Sequence, residues 1–559
     1  MIPRFWRVPL AAGTVTAVSL FAALAAAPSA SARPATPGAE SRQIAARASA
    51  GGYATINGSG SSWAALALDQ WAQDLRPSGL VANYNPDGSA AGRGDYEANQ
   101  DDYSGSDPPF RNGHDELGGT GAEHPTQGYS YVPDTAGGTA FMYHIEVAGH
   151  LVTNLRLSGK TIMEIFTGAI TNWDDPRITH DYGAQLPNLP ITPVIRSDGS
   201  GATFFFTRWM AHVFPQQWNA FCQKEASVIH HHISLPCPQT EFYPLFGNAK
   251  SENGSNNVAT YITASYGNGA IGYDEYAYAL NAHYPVVEVL NAAGYYVLPT
   301  PSNVAVALTK AVITETPGPN FLQQDLDAVY TYTDPRSYPL SSYSYLIVPR
   351  DHTTLPSNFT PAKGRSLSTY INFLLCAGQN EVAALGYSPL PLNLVEGGLL
   401  QNSHIPGHVP IPNLSNGSCK NPTFTNGVLT LLKTAPEPSP CAKVGSPLTG
   451  VVVNGKCEKP GPNSQPSSGP SSGPSGGPST GPSGPSSPGA NPLPTGSQPS
   501  GGGTPAPVVG VVVNVASSSP NKVLLSTITA AAIILAVVMP PLLGGWLRRR
   551  KRQAPGVSQ

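Results

Sequence analysis

The sequence predicts an α/β protein, because strand-like runs end in Gly/Ser-rich turns that open helix-like segments, and this happens three times before residue 204. The clearest case is Ile191-Thr192-Pro193-Val194-Ile195, which alternates like a strand, followed by Arg196-Ser197-Asp198-Gly199-Ser200-Gly201-Ala202-Thr203. Phe204, Phe205, Trp209, Met210 and Val213 then recur at helical spacing. The second case is Thr55-Ile56-Asn57-Gly58-Ser59-Gly60-Ser61-Ser62-Trp63, with Trp63, Leu66, Ala67, Gln70 and Trp71 supplying the helix. The third, Pro86-Asp87-Gly88-Ser89-Ala90-Ala91-Gly92, again sets a serine where a helix can start.

Each turn has a chemistry. The first N–H groups of a helix have no internal partner, and the dipole puts positive potential there. Glycines let the backbone approach a ligand closely. Arg196 adds a forked cation at a strand end, so the octamer can seat an anion with three or four acceptor oxygens. Taken alone it could equally be a turn whose arginine pairs with Asp198. Near the third turn, Asp107 in Asp102-Tyr103-Ser104-Gly105-Ser106-Asp107-Pro108-Pro109 is kept out of helix by the proline after it.

Together these pieces resemble the PstS family, the phosphate-binding proteins that feed phosphate ABC transporters, within the type II periplasmic-binding fold. The resemblance spans about residues 53–400, in the family's order. After Asn57–Trp63, Asp87-Gly88-Ser89 and Ser106-Asp107 come Ile165-Phe166-Thr167-Gly168 and Thr171-Asn172-Trp173-Asp174. Arg196–Thr203 and Gly269-Ala270-Ile271-Gly272-Tyr273-Asp274-Glu275-Tyr276-Ala277-Tyr278-Ala279 complete it. The resemblance implies phosphate contacts at Ser62 (hydroxyl and amide), the Trp63 amide, Ser89, Asp107, Arg196, Ser200 and the amides of Gly201 and Ala202. It implies that Asp198 orients Arg196. Many members carry a hydroxyl residue where Ala202 stands, so one donor is lost unless Thr203 turns inward. Segments 112–127 and 221–250 depart from the family pattern.

The resemblance also implies two lobes joined by two hinge crossovers, with the anion in the cleft. Lobe one is expected at 51–140 and 345–400 and lobe two at 141–340, with crossovers near 138–143 and 342–346. Ser62, Ser89 and Asp107 then face Arg196, Ser200 and Gly201, so neither lobe completes the shell alone. The implied function is non-catalytic: extracytoplasmic binding of inorganic phosphate by a monomer and delivery to the membrane subunits of an ABC permease, with no cofactor. Other functions are a surface-anchored phosphate sensor or adhesion protein that kept the fold, and a phosphatase. The last lacks an activated nucleophile or metal cluster beside the turns.

Asp107 would discriminate. An ionised carboxylate only accepts hydrogen bonds, so it favours an anion that brings its own proton. Phosphate near neutral pH has one or two; sulfate has none. A site built for a ligand OH can reject the analogue lacking it by roughly 10⁴–10⁵.

The rest of the 559-residue chain reads as export and attachment. Charged residues are 12% and the net charge is −3, which excludes nucleic-acid binding. Residues 1–32 form a secretory signal: Arg4 and Arg7, an apolar run from Val8 to Ala27, and Ala30-Ser31-Ala32 before the cut. No cysteine follows closely, which excludes a lipid anchor. Residues 401–459 are an extension of unassigned role, either a cap on lobe one or the start of a stalk. Residues 460–507 are a disordered Ser/Gly/Pro linker reaching about 35–40 Å as coil. Residues 523–547 are apolar and long enough to span a bilayer, and Arg548-Arg549-Arg550-Lys551-Arg552 opens a basic cytoplasmic tail, 548–559. The expected location is a single-pass membrane protein of an actinobacterial-type, Gram-positive envelope, with the binding region outside. Leu493-Pro494-Thr495-Gly496 lacks a residue needed for a sortase signal, and Gly469-Pro470-Ser471-Ser472-Gly473 mimics a hydrolase elbow without strand or helix around it.

Six cysteines suit an oxidising compartment. Sequence proximity favours Cys222–Cys237 and Cys441–Cys457, leaving Cys376 with Cys419, among 15 possible pairings. No C-x-x-C pair supports a metal site, and adjacent His230, His231 and His232 point in different directions, as in a surface loop. Ser158-Gly159-Lys160-Thr161 lacks the first P-loop glycine, Asn154 standing there, and reads as a helix start. Asp325, Asp327 and Asp334 read as a solvated face.

Overall fold

Short strands, each ending in one of the Gly/Ser turns, lead into helices in a computed structural model that describes residues 52–460 apart from 116, 119, 229–232, 317–321, 351–354 and 356–357. The chain divides into two units, 1–467 and 468–559, and every described residue falls in the first. In chain order, the elements that position the site begin with β1 (Ile56–Gly60), α1 (Ala65–Leu75), β2 (Ala82–Asn85), α2 (Ser89–Glu97), β3 (Tyr103–Ser106) and β4 (Tyr129–Tyr143). Next come β5 (Thr192–Arg196), α3 (Gly201–Val213), α4 (Pro215–Val228), β6 (Lys250–Glu252), α5 (Gly254–Thr263) and β7 (Ala270–Glu275). Last are β8 (Ser341–Pro349) and α6 (Pro361–Leu375).

The eight strands form one sheet in the order β2-β1-β3-β8-β4-β7-β5-β6. β1 runs parallel to β2 and β3, and β5 runs parallel to β6 and β7. Between these two parallel sets, β8 and β4 are antiparallel to their neighbours. β4 belongs to both: up to Gly138 it pairs with β8, and Thr139 to Tyr143 pair with β7. Two parallel α/β halves thus share one long strand, an α/β type II periplasmic-binding architecture. Past its first residue β4 is buried throughout, which explains why it reads as a nearly unbroken apolar and small-residue run.

Aromatic side chains fill the space under each half. Phe206 packs on Tyr273 at 4.9 Å and on Phe166 at 5.1 Å between centroids, below the end of β5. In the other half Phe110 meets Tyr129 at 4.8 Å and Tyr131 meets Tyr345 at 5.0 Å. Such pairs contribute about 0.5–1.5 kcal/mol beyond the area they bury.

The cysteines pair as Cys222–Cys237, Cys376–Cys419 and Cys441–Cys457. Residues 401–459 lie along the folded region. Cys419 pins this stretch to the end of α6, Arg336 donates to the carbonyls of Leu432 (3.0 Å) and Ala435 (3.2 Å), and the Val444 amide donates to the Gly294 carbonyl (2.8 Å). Ser158 caps the helix 159–166 by accepting from the Thr161 amide, a structural use of the P-loop-like run. Asp325 and Asp327 are exposed and flank Arg208, and Asp334 pairs with Arg336. No helix among the described residues is long and apolar enough to cross a membrane. The signal (1–32), the linker beyond 460, the apolar stretch 523–547, the tail 548–559 and His230–His232 lie outside the described residues.

Candidate functional site

Arg196 ends β5 with its side chain buried between the two halves. Its Nε donates to Asp198 Oδ1 at 2.8 Å and its Nη2 to Asp198 Oδ2 at 2.5 Å, a fork on a carboxylate that fixes the guanidinium plane. The remaining donors reach away from that pair. Nη1 donates to Ser255 Oγ at 3.1 Å and lies 3.5 Å from Asp274 Oδ2, while Nη2 donates to Ser62 Oγ at 3.0 Å. Ser62 Oγ is also 3.0 Å from Ser255 Oγ and accepts from the Ser255 amide at 3.3 Å. Three strand–turn–helix units, those ending β1, β5 and β6, therefore converge on one guanidinium.

Burial pulls the Arg196 pKa down, but Asp274 and Asp198 outweigh it and hold the guanidinium above its ordinary value. Burial raises Asp198 and Arg196 lowers it further, leaving it below the usual carboxylate value. Asp274 is raised, since burial exceeds the attraction of an arginine it meets only at 3.5 Å.

Asp107 follows β3 and lies opposite, fully buried. Ser61 Oγ donates to its two oxygens at 2.8 and 3.0 Å, and Ser89 Oγ donates at 3.2 Å. Burial pushes its carboxyl up to about 6, with Ser344, Ser61, Ser89 and Arg196 pulling the other way. The helix start at Gly201 packs directly on it: a Cβ there would sit 1.9 Å from Asp107 Oδ2. Gly88, at φ +109°, turns the chain into α2, and a Cβ there would stand 2.9 Å from Asp198 Oδ2. The two halves thus meet glycine to carboxylate, in both directions.

Ser200 caps α3, its Oγ accepting from the Thr203 amide at 3.4 Å. Ala202 is buried, and the amides of Gly201 and Ala202 stand in the first turn, where a helix offers no partner. Thr203 does not turn toward the cluster. Its hydroxyl is 2.7 Å from the Tyr273 hydroxyl, so it does not replace the hydroxyl absent at 202. The Trp63 amide donates to Ser61 Oγ at 3.2 Å.

Ser62, Asp198, Arg196 and, through Ser61, Ser89 and Asp107 are thus brought into one buried cluster with the α3 N-terminus. Motif reasoning missed three members. Ser61 hides beside Ser62 in a run of serines; Ser255 opens a helix whose Asn253-Gly254-Ser255 start repeats the same turn logic; Asp274 stands inside a block read only as a similarity. The arrangement holds one cation, hydroxyl and amide donors, and an acceptor-only carboxylate on one small volume. This donor set suits a compact oxyanion carrying a proton.

Residues 45–377 match the family model described as PBP superfamily domain. The chain is 28% identical over 361 residues to "Phosphate-binding protein PstS 3" of Mycobacterium tuberculosis, covering 63% of this chain and 87% of that protein. It is 26% identical over 344 residues to "Phosphate-binding protein PstS" of Xylella fastidiosa, covering 61% and 83%. Among solved structures, a high-affinity periplasmic phosphate-binding protein (PfluDING) aligns with a TM-score of 0.45 and 19% identity, covering 66% of this chain and 100% of that one, a likeness too loose to add to the sequence matches. With a family model matched over more than half of its length, the chain belongs to the PBP superfamily, and the relatives it resembles there are PstS-like phosphate-binding proteins.

Proposed function

We propose that this protein binds inorganic phosphate outside the cytoplasmic membrane and hands it to the membrane subunits of an ABC permease, without chemical change. The observation that carries this reading is the pairing of Arg196, a buried guanidinium with donors aimed at Ser62 and Ser255, with Asp107, a buried carboxylate beside the α3 N-terminus. A general anion site has no use for that carboxylate, whereas hydrogenphosphate and dihydrogenphosphate can donate to it. The names of the relatives from Mycobacterium and Xylella support the same ligand.

On this reading the ligand contacts are Ser62, the Trp63 amide, Ser89, Asp107, Arg196, Ser200 and the amides of Gly201 and Ala202, with Asp198 orienting the arginine. The β1–β3 half serves as lobe one and the β5–β7 half as lobe two, closing on the anion as the shared strand β4 and the chain entering β8 bend. Export by residues 1–32 and anchoring by 523–547 place the domain outside, on the 460–507 tether. Calorimetric titration of phosphate and of sulfate into the protein stripped of ligand tests the proposal. Phosphate should bind and sulfate should not; equal binding of both overturns it.

A further inference from the structure

Asp115 and Glu123 of segment 112–127 meet Thr240 and Glu241 of segment 221–250, the two segments expected to depart from the family pattern, around Arg93 and Arg111. α2 presents Ser89 in its first turn and Arg93 one turn later, and Arg93 is wholly buried. The Arg93 Nε donates to Glu123 Oε2 at 2.8 Å, Nη1 to Ser106 Oγ at 2.9 Å, and Nη2 to both oxygens of Glu241 at 2.6 and 2.7 Å. Arg111 Nη1 reaches the same Glu241 at 3.1 Å, and its Nη2 pairs with Glu123 at 2.7 Å. Thr240 Oγ1 donates to Asp115 at 2.8 Å, and the Glu241 amide to Asp115 at 3.1 Å. Burial pulls Arg93 down, but Glu241 and Glu123 outweigh it and hold its charge in place.

Glu241 comes from the opposite half, on an arm with several fastenings. Cys237 is bonded to Cys222 of α4, and the Trp218 indole donates to the Pro238 carbonyl at 3.1 Å. Thr207 of α3 receives the Thr240 amide at 3.0 Å and donates to its carbonyl at 2.9 Å. The Glu241 carbonyl then accepts the Ser200 amide at 3.0 Å, at the cap of the anion-facing helix. Next to it the Phe242 ring fills the gap between halves: a Cβ on Gly118 would stand 2.2 Å from the ring and one on Gly199 2.9 Å.

We propose that Arg93, Arg111 and Glu123 of one half and Glu241 of the other form a clasp that holds the cleft shut, so that Glu241 is a positioning residue setting how fast phosphate leaves. This rests on the phosphate-binding reading above. The clasp touches both ends of the cradle, through Ser106 next to Asp107 and through the Ser200 amide, yet contributes no group to the anion. Glu123 pairs with Arg93 and Arg111 inside its own half, whereas Glu241 finds both arginines only when the halves meet; on opening, water takes over the Glu241 carboxylate and the guanidinium donors it held. A weaker clasp therefore shortens the closed state without altering how the open cradle first meets phosphate, which puts the effect in the dissociation rate.

The test uses the full chain in detergent, comparing wild type with Glu241→Gln and with Gly118→Ala, which obstructs Phe242 while leaving every charge in place. Stopped-flow kinetics should show phosphate release faster by about tenfold in both variants, with association changed less than about threefold. Hydrogen exchange on ligand-free protein should rise at Asp115, Leu117 and Gly118 and at Thr240, Glu241 and Phe242 in both. A wild type that binds no phosphate defeats the functional reading, and the exchange comparison then still judges the clasp. Release at the wild-type rate in both variants overturns the clasp, whatever exchange shows, and so does unchanged exchange at both segments.

Discussion

The Ser62 hydroxyl accepts a 3.0 Å hydrogen bond from the Arg196 guanidinium across 134 positions of sequence. That bond ties the turn after β1 to the end of β5, and so joins the halves at the point where an anion would sit. The donors that would hold a ligand hold each other here, with Ser255 as the third member. A ligand oxygen at that point would take over bonds already aimed, which is the meaning of a preorganised site.

Arg196→Ala should weaken phosphate binding at least tenfold, since charge-assisted hydrogen bonds contribute about 1.5–3 kcal/mol each. It should also destabilise the fold by about 3–5 kcal/mol, because Asp198 and Asp274 are left buried without a counter-charge. Adding Asp198→Asn should recover part of the stability and none of the binding. Calorimetry and urea unfolding on the three proteins separate the two effects; a folded Arg196→Ala protein with wild-type affinity removes Arg196 from the site.

Gly201→Ala should abolish tight binding with little loss of helix stability. The new methyl would sit 1.9 Å from Asp107 Oδ2, so the halves could not approach, although alanine suits an α-helix better than glycine. Titration with phosphate beside a circular-dichroism melt checks this. Retained affinity would mean that the halves do not close at Gly201.

The turn chemistry was legible because it is local: glycines, cap serines, a strand-end arginine and its acid all fall within eight residues. The Asp198 fork onto Arg196 spans only two positions, and Ser200, expected from the resemblance among the ligand contacts, caps α3 in the same turn. What was not legible lies far apart in sequence. Glu241 meets Arg93 across 148 positions and Ser255 meets Ser62 across 193, and no periodicity announces either. Ser61 and Ser62 are indistinguishable by residue type; only the course of the turn after β1 sets one toward Asp107 and the other toward Arg196. Thr203 was ambiguous for the same reason, and the Tyr273 hydroxyl settles its direction. Residues 401–459 carry little periodic pattern and take their course from anchors outside themselves, at Cys376, Arg336 and Gly294.

Truncation after Pro507 should release the binding region to the medium. Among the described residues no helix can cross a bilayer, and the apolar run at 523–547 is removed by the cut. Immunoblots of medium and salt-washed membranes report the outcome; a truncated protein that stays with the membrane places the anchor elsewhere.

Asp107 should make the ligand-free protein more stable toward mild acid. Its carboxyl is pushed up to about 6 in the fold, against roughly 3.9 in an unfolded chain, so the native state holds the extra proton between those values. Stability therefore falls as pH rises through that window, and going from pH 7 to pH 5 the wild type should gain about 1 kcal/mol relative to Asp107→Asn. Asp101, also raised to about 6 by burial, is present in both proteins and cancels in the comparison. Urea midpoints at the two pH values measure the difference, and parallel curves would mean that Asp107 titrates normally.

The same carboxyl should make anion selectivity depend on pH. Above about 6, Asp107 is ionised and can only accept, so it welcomes the phosphate OH and opposes every sulfate oxygen. Below that value it carries a proton and can donate, and the repulsion that excludes sulfate becomes a hydrogen bond. Sulfate binding should therefore appear as pH falls from 8 to 5. In Asp107→Asn, whose amide donates at any pH, sulfate should bind at both ends of the range and phosphate should weaken only modestly. Titrations at one fixed ionic strength, needed because exposed charges are screened, give four affinities for each protein. Sulfate affinity that does not change with pH in the wild type would show that Asp107 does not face the ligand, and the site would then be a general oxyanion cradle built on Arg196 and the α3 N-terminus alone.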